Sequence, residues 1–259
     1  MRLLLDIGNT EATVGLSEGS IMRGRWRLTS SHERTPDEWA VAIDAFVVRA
    51  GHAPAEIRSA CLASVVPTVT QAVTEAIRSA LTPQVAQVTA TAPLPITLDV
   101  DEPLAVGADR IANALAALEL HPGDTIVVDL GTATTFDCVT ADRRFIGGAI
   151  MPGLRTSAEQ LVRRAAKLTA TELVPPERAI GRRTDEHIRA GVLFGTADAI
   201  DGMVRRIRAE WPGGAVPKVV ATGGLSQVVA PLTTSIGIVD LDLTLHGLRL
   251  AADAMGLPA

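Results

Sequence analysis

Two stretches of the chain share one order of apolar and polar positions. In residues 3–14 an apolar run ends in Asp6, which is followed by an apolar residue, a glycine and a short polar turn. Residues 126–137 repeat this order, with Asp129 at the matching position. An apolar run that re-emerges after a short glycine turn predicts a β-hairpin, and two copies half a chain apart predict an internal duplication.

Strand and helix periodicities alternate on either side of each hairpin. The clearest helix start is Thr35-Pro36-Asp37-Glu38, which is typical of a capping box with proline at the first helical position. The order of elements predicts an α/β fold with two domains, 1–119 and 120–259, each with a mixed sheet and flanking helices. Beyond the hairpins we predict strands at 20–29, 60–66, 84–89, 144–150 and 218–221, and helices at 36–51, 67–81, 108–118, 156–168, 184–211 and 243–255, the last of which can pack back on the first domain.

Composition excludes several classes of function. The chain has 259 residues, 47% of them hydrophobic, and a net charge of −5 with scattered basic residues, so we expect neither a nucleic-acid partner nor a membrane partner. No apolar run reaches the roughly 18 residues of a membrane span, and Asp6 interrupts the N-terminal run. Cys61 and Cys138 lie in strand-like segments without metal-ligand spacing. We therefore expect two buried, reduced thiols and a cytoplasmic protein.

Each predicted hairpin tip combines groups that bind phosphate. Glycine leaves backbone amides uncovered, Asn and Thr add side-chain donors, and the carboxylate at the strand end can hold Mg²⁺ directly or through water. One copy alone could be an ordinary hairpin, whereas two copies could hold a nucleotide triphosphate from both sides. The candidate phosphate-binding residues are Asp6, Ile7, Gly8, Asn9, Thr10, Glu11, Ala12 and Thr13 in the first copy, and Gly131 and Thr132 in the second.

Three further segments carry candidate chemistry. Asp109 lies at a predicted helix start, in Gly107-Ala108-Asp109-Arg110. It could merely interact with the helix dipole and pair with Arg110. Alternatively, it could face a cleft between the domains and take a proton from a substrate hydroxyl. In the latter case Arg110 could hold an anion. Thr222-Gly223-Gly224 follows a strand and offers bare backbone to a base or ribose, unless it is a plain tight turn. Thr184 is either a helix N-cap or a ligand contact.

Five motifs in this order resemble type III pantothenate kinases over nearly the full length. They are Asp6-Ile7-Gly8-Asn9-Thr10, Gly107-Ala108-Asp109-Arg110, Asp129-Leu130-Gly131-Thr132-Ala133-Thr134-Thr135, Gly147-Gly148-Ala149-Ile150-Met151-Pro152-Gly153 and Thr222-Gly223-Gly224. The resemblance implies two ribonuclease-H-like domains of the actin, hexokinase and Hsp70 type with a cleft between them. It further implies phosphorylation of pantothenate by Mg·ATP, a required monovalent cation such as K⁺ or NH₄⁺, and a homodimer with pantothenate near the subunit interface.

The resemblance also implies a role for individual residues. Asp109 would be the catalytic base, Asp129 would hold the monovalent cation, and Asp6 would lie on the Mg²⁺ side of the first phosphate loop. Thr132, Gly223 and Gly224 would contact ATP. Pantothenate would contact Val100, Gly107, Ala108, Asp109 and Arg110, and would meet Thr184 from the partner subunit.

Three positions depart from the family's usual pattern. Val100 stands where many members carry Tyr, Glu11 places a carboxylate in the phosphate loop, and Arg183 replaces a residue that is usually Asn. Like charge at Glu11 would oppose ATP unless the side chain turns away. Two alternatives to pantothenate kinase therefore stay open here: a kinase of another small hydroxyl acid, and a non-catalytic nucleotide-binding regulator.

Overall fold

A computed structural model describes all 259 residues and divides them into two compact units. Unit 1 comprises Met1–Glu119 with Asp242–Ala259, and unit 2 comprises Leu120–Leu241. The strands are β1 Arg2–Ile7, β2 Glu11–Glu18, β3 Ile21–Thr29, β4 Ser59–Ser64, β5 Val85–Gln87, β6 Thr97–Leu98, β7 Thr125–Leu130, β8 Ala133–Thr140, β9 Arg144–Pro152, β10 Lys218–Thr222 and β11 Ile238–Val239. The helices are α1 Pro36–Arg49, α2 Pro67–Ala80, α3 Ala108–Leu120, α4 Leu154–Arg164, α5 Thr184–Ala209, α6 Ser226–Val229 and α7 Leu243–Ala254.

The two units share one sheet topology. In unit 1 the order is β3-β2-β1-β4-β5, and in unit 2 the corresponding order is β9-β8-β7-β10-β11. In each unit the first three strands are antiparallel, while the central strand pairs in parallel with the strand that follows on its other side. Two α/β units with matching mixed sheets confirm the predicted duplication and fold class.

The central strand β1 has a core on both of its faces because its side chains alternate. Leu3, Leu5 and Ile7 belong to a buried cluster with residues of α1 and α2. Leu4 points the other way, into a cluster with residues of α3 and α7. Gly247 of α7 lies directly on the backbone of Ala112 in α3, and a Cβ there would overlap the Ala112 carbonyl group. The last helix is thus part of the core of unit 1.

The start of α1 confirms the predicted capping box. Thr35 Oγ1 accepts a hydrogen bond from the Glu38 backbone N–H at 3.3 Å, and the Glu38 carboxylate accepts one from the Thr35 N–H at 2.8 Å. Pro36 takes the first helical position, where a missing N–H costs nothing. These hydrogen bonds hold the pKa of Glu38 below its usual value, most strongly through the Thr35 backbone N–H.

Three elements differ from the sequence predictions. The helix predicted at 156–168 spans Leu154–Arg164, because it begins directly after Gly153, which offers no capping side chain. The two-residue strands β6 and β11 were not predicted, and β6 lies between the predicted strand at 84–89 and the predicted helix at 108–118. No helix of the structure has both the length and the apolar character needed to cross a membrane.

Candidate active site

The first hairpin closes through a hydrogen bond from the Gly8 N–H to the Glu11 carbonyl oxygen at 3.0 Å. Asp6 lies near the end of β1, level with Thr13 of β2 on one side and with Ala63 of β4 on the other. Asn9, at the turn, is exposed. The structure therefore presents the predicted loop as a tight turn with an aspartate directly before it.

Glu11 forms an ion pair with an arginine of the neighbouring strand. Its carboxylate lies 3.5 Å from an Arg27 guanidinium nitrogen of β3. Both side chains are largely exposed, so the pair contributes at most about 1 kcal/mol. The pair places the Glu11 carboxylate beside the Arg27 guanidinium.

Asp109 lies in the first turn of α3, at the positive end of the helix dipole. Its Oδ1 accepts a hydrogen bond from the Arg110 backbone N–H at 2.9 Å. The same oxygen lies over Gly107, where an added Cβ would be only 2.5 Å away. Gly107 is thus the residue that leaves room for this carboxylate, while Ala108 is buried and Arg110 is half-buried.

Val65 connects this helix start with the first hairpin, although the sequence analysis did not single it out. Its backbone N–H donates to the Ile7 carbonyl oxygen at 3.1 Å, which extends the β1–β4 pairing past the end of β4. Its Cγ1 lies 3.7 Å from the position of a Cβ on Gly107. The end of β1, the end of β4 and the start of α3 therefore meet at one end of unit 1. Val100 lies half-buried in the loop after β6. Its role as a pantothenate contact stays a prediction.

The second hairpin repeats the first within unit 2. Asp129 lies level with Thr135 of β8 and with Thr222 of β10, just as Asp6 lies between its two neighbours. The Gly131 N–H donates to the Ala133 carbonyl oxygen at 3.0 Å and closes a turn in which Thr132 is exposed. The alignment of Asp6 with Asp129 made from sequence is therefore confirmed by the strand register.

The Thr222-Gly223-Gly224 loop packs on the second hairpin. Gly223 has a φ of +88°, and a Cβ there would lie 2.5 Å from Asp129 Oδ1 and 2.7 Å from the Leu130 nitrogen. Only glycine fits this backbone conformation and this close approach. The structure thus brings Gly223 and Asp129 together, with Gly224 exposed beside them.

The tip of the second hairpin is supported from the start of α4. The Thr132 carbonyl oxygen accepts hydrogen bonds from the Gly153 N–H at 3.1 Å and from Thr156 Oγ1 at 2.7 Å. A Cβ on Gly153 would overlap the carbonyl oxygens of Gly131 and Thr132. Thr156 was missed from sequence, since nothing local distinguishes a threonine in the first helical turn from one that supports a distant loop.

Thr184 is the first residue of α5, and its side chain is exposed. The N-cap is Arg183, so the interpretation of Thr184 as an N-cap is wrong. The preceding loop is instead held by Glu186, whose carboxylate accepts a hydrogen bond from the Arg182 N–H at 2.7 Å. This leaves the Thr184 side chain on the outer surface of unit 2.

Known proteins resemble this chain in both sequence and fold. A family described as type III pantothenate kinase matches residues 2–206. A type III pantothenate kinase of Thermomicrobium roseum is 42% identical over 255 residues, covering 98% of each chain. Among solved structures, a conserved putative Baf family transcriptional activator from Campylobacter jejuni aligns with a TM-score of 0.60 at 20% identity, covering 97% of each chain. The activator of 2-hydroxyisocaproyl-CoA dehydratase from Clostridium difficile, with bound ADPNP, aligns with a TM-score of 0.58 at 12% identity, covering 98% of this chain and 96% of the activator. These two structures support the fold alone.

Proposed function

Because the chain belongs to the type III pantothenate kinase family, and so phosphorylates pantothenate in coenzyme A biosynthesis, we propose roles for its residues in that reaction. ATP is the expected phosphoryl donor, and the related fold of the C. difficile activator binds ADPNP. The observation that carries the proposal is the repeated hairpin, with Asp6 and Asp129 at equivalent positions before glycine turns. Exposed turn amides and hydroxyls suit phosphate oxygens.

In the proposed reaction Asp109 is the base. It accepts the proton of the primary hydroxyl of pantothenate as that oxygen bonds to the γ-phosphorus of ATP. The bond from the γ-phosphorus to its bridging oxygen breaks, and ADP leaves. Because phosphoryl transfer depends mainly on positioning and on stabilised charge, an ordinary carboxylate suffices. Arg110, next to Asp109, supplies a positive charge for the carboxylate of pantothenate.

Residues 6–13 and the Gly131–Thr132 turn are proposed to contact the phosphates of ATP. Gly223 and Gly224 are proposed to lie against its adenosine. Support for the latter comes from the bare backbone of this loop, since Gly224 is exposed and Gly223 has no side chain to cover its surface. The role of Val100 as a pantothenate contact also stays a proposal.

The carboxylates of Asp6 and Asp129 fit the cations that the family implies. Both are half-buried, and carboxylate oxygens are the ligands that Mg²⁺ and other hard cations prefer. Bare backbone at Gly131 and Gly223 keeps space beside Asp129, where a Cβ on either glycine would lie 3.8 or 2.5 Å from Oδ1. We propose that Asp6 holds Mg²⁺ and that Asp129 holds K⁺ or NH₄⁺. The bound cations would neutralise phosphate charge.

A homodimer is proposed from the outer face of α5. Gly191 and Gly195 follow Thr184 by about two and three helical turns and so share its face. Both are exposed, and no atom lies within 4 Å of a Cβ placed on either. The open surface left by these glycines permits close approach of a second helix, which would bring Thr184 to the partner's pantothenate.

We also propose a cytoplasmic location. Cys61 and Cys138 form no disulfide and are buried within their own units, as expected for a reducing compartment. Burial raises the pKa of the Cys61 thiol to about 12, so this thiol stays protonated and unreactive at neutral pH.

The decisive experiment measures pantothenate-dependent ADP release with Mg·ATP, in K⁺, NH₄⁺ or Na⁺, for the wild type and Asp109→Asn. We expect turnover only with K⁺ or NH₄⁺, and a loss of about 10²- to 10⁴-fold in kcat for the variant. Asp37→Asn is the matched control, because it removes a carboxylate from the first turn of another helix. Near-normal kcat in Asp109→Asn would refute the role of the base.

A further inference from the structure

Val65 is a valine presented to solvent from a rigid loop. It is 37% exposed, whereas the next residue, Val66, is 4% exposed and belongs to the core beneath α1 and α2. Single exposed apolar side chains are common on protein surfaces. This one instead follows directly on the end of β4, beside the central strand.

Four hydrogen bonds hold the backbone around Val65. Its own N–H donates to the Ile7 carbonyl oxygen at 3.1 Å, and the Val66 N–H donates to Ser64 Oγ at 3.1 Å. Thr70 Oγ1 lies 2.6 Å from Ser64 Oγ and 2.8 Å from the Val66 carbonyl oxygen. With the main chain held on both sides and only two methyl groups to orient, the side chain is a stiff apolar surface.

Val65 lies close to Gly107 and Asp109, for which roles in the reaction are proposed. Its Cγ1 lies 3.7 Å from the Cβ position of Gly107, and Asp109 Oδ1 lies 2.5 Å from the same position. The valine methyl and the proposed base thus flank one glycine. A substrate hydroxyl that reaches Asp109 must bring the carbon atoms next to it close to Val65.

The internal repeat offers a comparison for this loop. In unit 2 the strand equivalent to β4 is β10, and its last residue is followed by Gly223-Gly224. The Leu225 N–H then donates to the Leu130 carbonyl oxygen at 3.5 Å, as the Val65 N–H does to the Ile7 carbonyl oxygen. The stretch before this hydrogen bond is therefore a pair of glycines in unit 2 and Ser64 alone in unit 1, so the two loops present different surfaces.

Pantothenate has a matching apolar part. Its primary hydroxyl is attached to a methylene group, and the adjacent quaternary carbon carries two methyl groups. We propose that Val65 packs against this gem-dimethyl group and thereby selects pantothenate over hydroxyl acids that lack it. This inference rests on the proposed role of Asp109, because it is that role which places the hydroxyl beside the valine.

The test compares pantothenate with its analogue lacking both methyl groups, in the wild type and in Val65→Ala. In a hydrophobic pocket one methylene group changes kcat/KM by roughly 10- to 200-fold, and the partial exposure of Val65 favours the lower end. We expect Val65→Ala to lower kcat/KM for pantothenate about 10-fold and to leave the analogue within about twofold. Val48→Ala, at an exposed valine of α1, should change neither value.

Two results would overturn the proposal. Equal losses for both substrates in Val65→Ala would show a structural role, and unchanged discrimination would show no contact with the methyl groups. Val65→Thr keeps the shape of the side chain, so it should fold even if Val65→Ala does not. It should lower the discrimination between pantothenate and the analogue only in part. Failure of the underlying reaction is recognised separately, since the wild type would then show no turnover that depends on Asp109.

Discussion

Gly223→Ala is the substitution for which the structure supplies the most explicit expectation. The alanine Cβ would lie 2.5 Å from Asp129 Oδ1, and 2.7 and 2.8 Å from the backbone nitrogen and carbonyl carbon of Leu130. The carboxylate can move, but the strand end cannot move without disturbing the second hairpin. In addition, the φ of +88° is a conformation that residues with a Cβ rarely adopt.

The two effects can be weighed separately. A left-handed backbone costs alanine about 1–2 kcal/mol, and forcing a methyl group into a packed site costs about 1–3 kcal/mol more. We therefore expect Gly223→Ala to lower the free energy of unfolding by roughly 2–5 kcal/mol, which corresponds to a fall in Tm of roughly 5–15 °C. Since Asp129 must also shift, kcat should fall and the K⁺ or NH₄⁺ concentration for half-maximal activity should rise.

Two other glycines of unit 2 serve as matched controls. Gly213 also has a positive φ, of +71°, but no atom lies within 4 Å of an added Cβ, so Gly213→Ala measures the backbone cost alone. Gly237 has neither a positive φ nor a close neighbour, so Gly237→Ala should change Tm little. Thermal unfolding and cation titration of all three variants separate the effects. The reasoning fails if Gly223→Ala loses no more stability than Gly213→Ala and keeps its cation response.

Three further predictions concern other parts of the chain. Gly195→Leu should convert the proposed dimer to monomers, as measured by light scattering, and should lower activity. Ala45→Leu, at an exposed position of α1, should do neither. A monomeric wild type would contradict the proposed dimer. Burial acts to raise the pKa of Asp201, but hydrogen bonds from Thr234 and Ser235 outweigh burial and lower this pKa. These hydrogen bonds therefore stabilise the folded state fully above about pH 4, and their contribution is lost as the pH falls through the lowered pKa. Asp201→Asn should therefore lower the free energy of unfolding, measured in denaturant, by about 1 kcal/mol at pH 7 and by less at pH 3. An equal loss at both pH values would show that the charge of Asp201 does not contribute. Arg27→Ala should raise the KM for ATP about two- to fivefold by releasing Glu11, and Glu11→Gln in the same background should reverse this rise.

The parts of the fold that sequence predicted are those encoded locally. The hairpins follow from an apolar run, an aspartate and a glycine turn, and α1 follows from its capping box. The two-residue strand β11 carries no periodicity, so only its pairing with β10 defines it. The start of α4 was misplaced because Gly153 provides no capping signal.

The candidate site was predictable in its motifs but not in its contacts. The sequence indicated Gly107 and Asp109 as a pair, yet it could not show that the glycine leaves space for the carboxylate. It likewise marked Gly223 as bare backbone for a base or ribose, or as part of a plain tight turn, whereas the structure shows a glycine required by contact with Asp129 and Leu130. Gly223 and Asp129 are far apart in the chain and meet only because β10 pairs with β7, a pairing that neither segment shows by itself.

The duplication also explains how one topology can serve two different ligands. Register matches Asp6 with Asp129, and both aspartates precede glycine turns, so the strand ends that suit phosphate are retained in both units. The loops after the parallel neighbours β4 and β10 are instead different, because Ser64 alone precedes the Val65 hydrogen bond in one, and Gly223-Gly224 precede that of Leu225 in the other. Loops tolerate such change because they carry little of the core. We infer that the shared turns supply the common phosphate chemistry and that these two loops supply the distinction between acceptor and nucleotide.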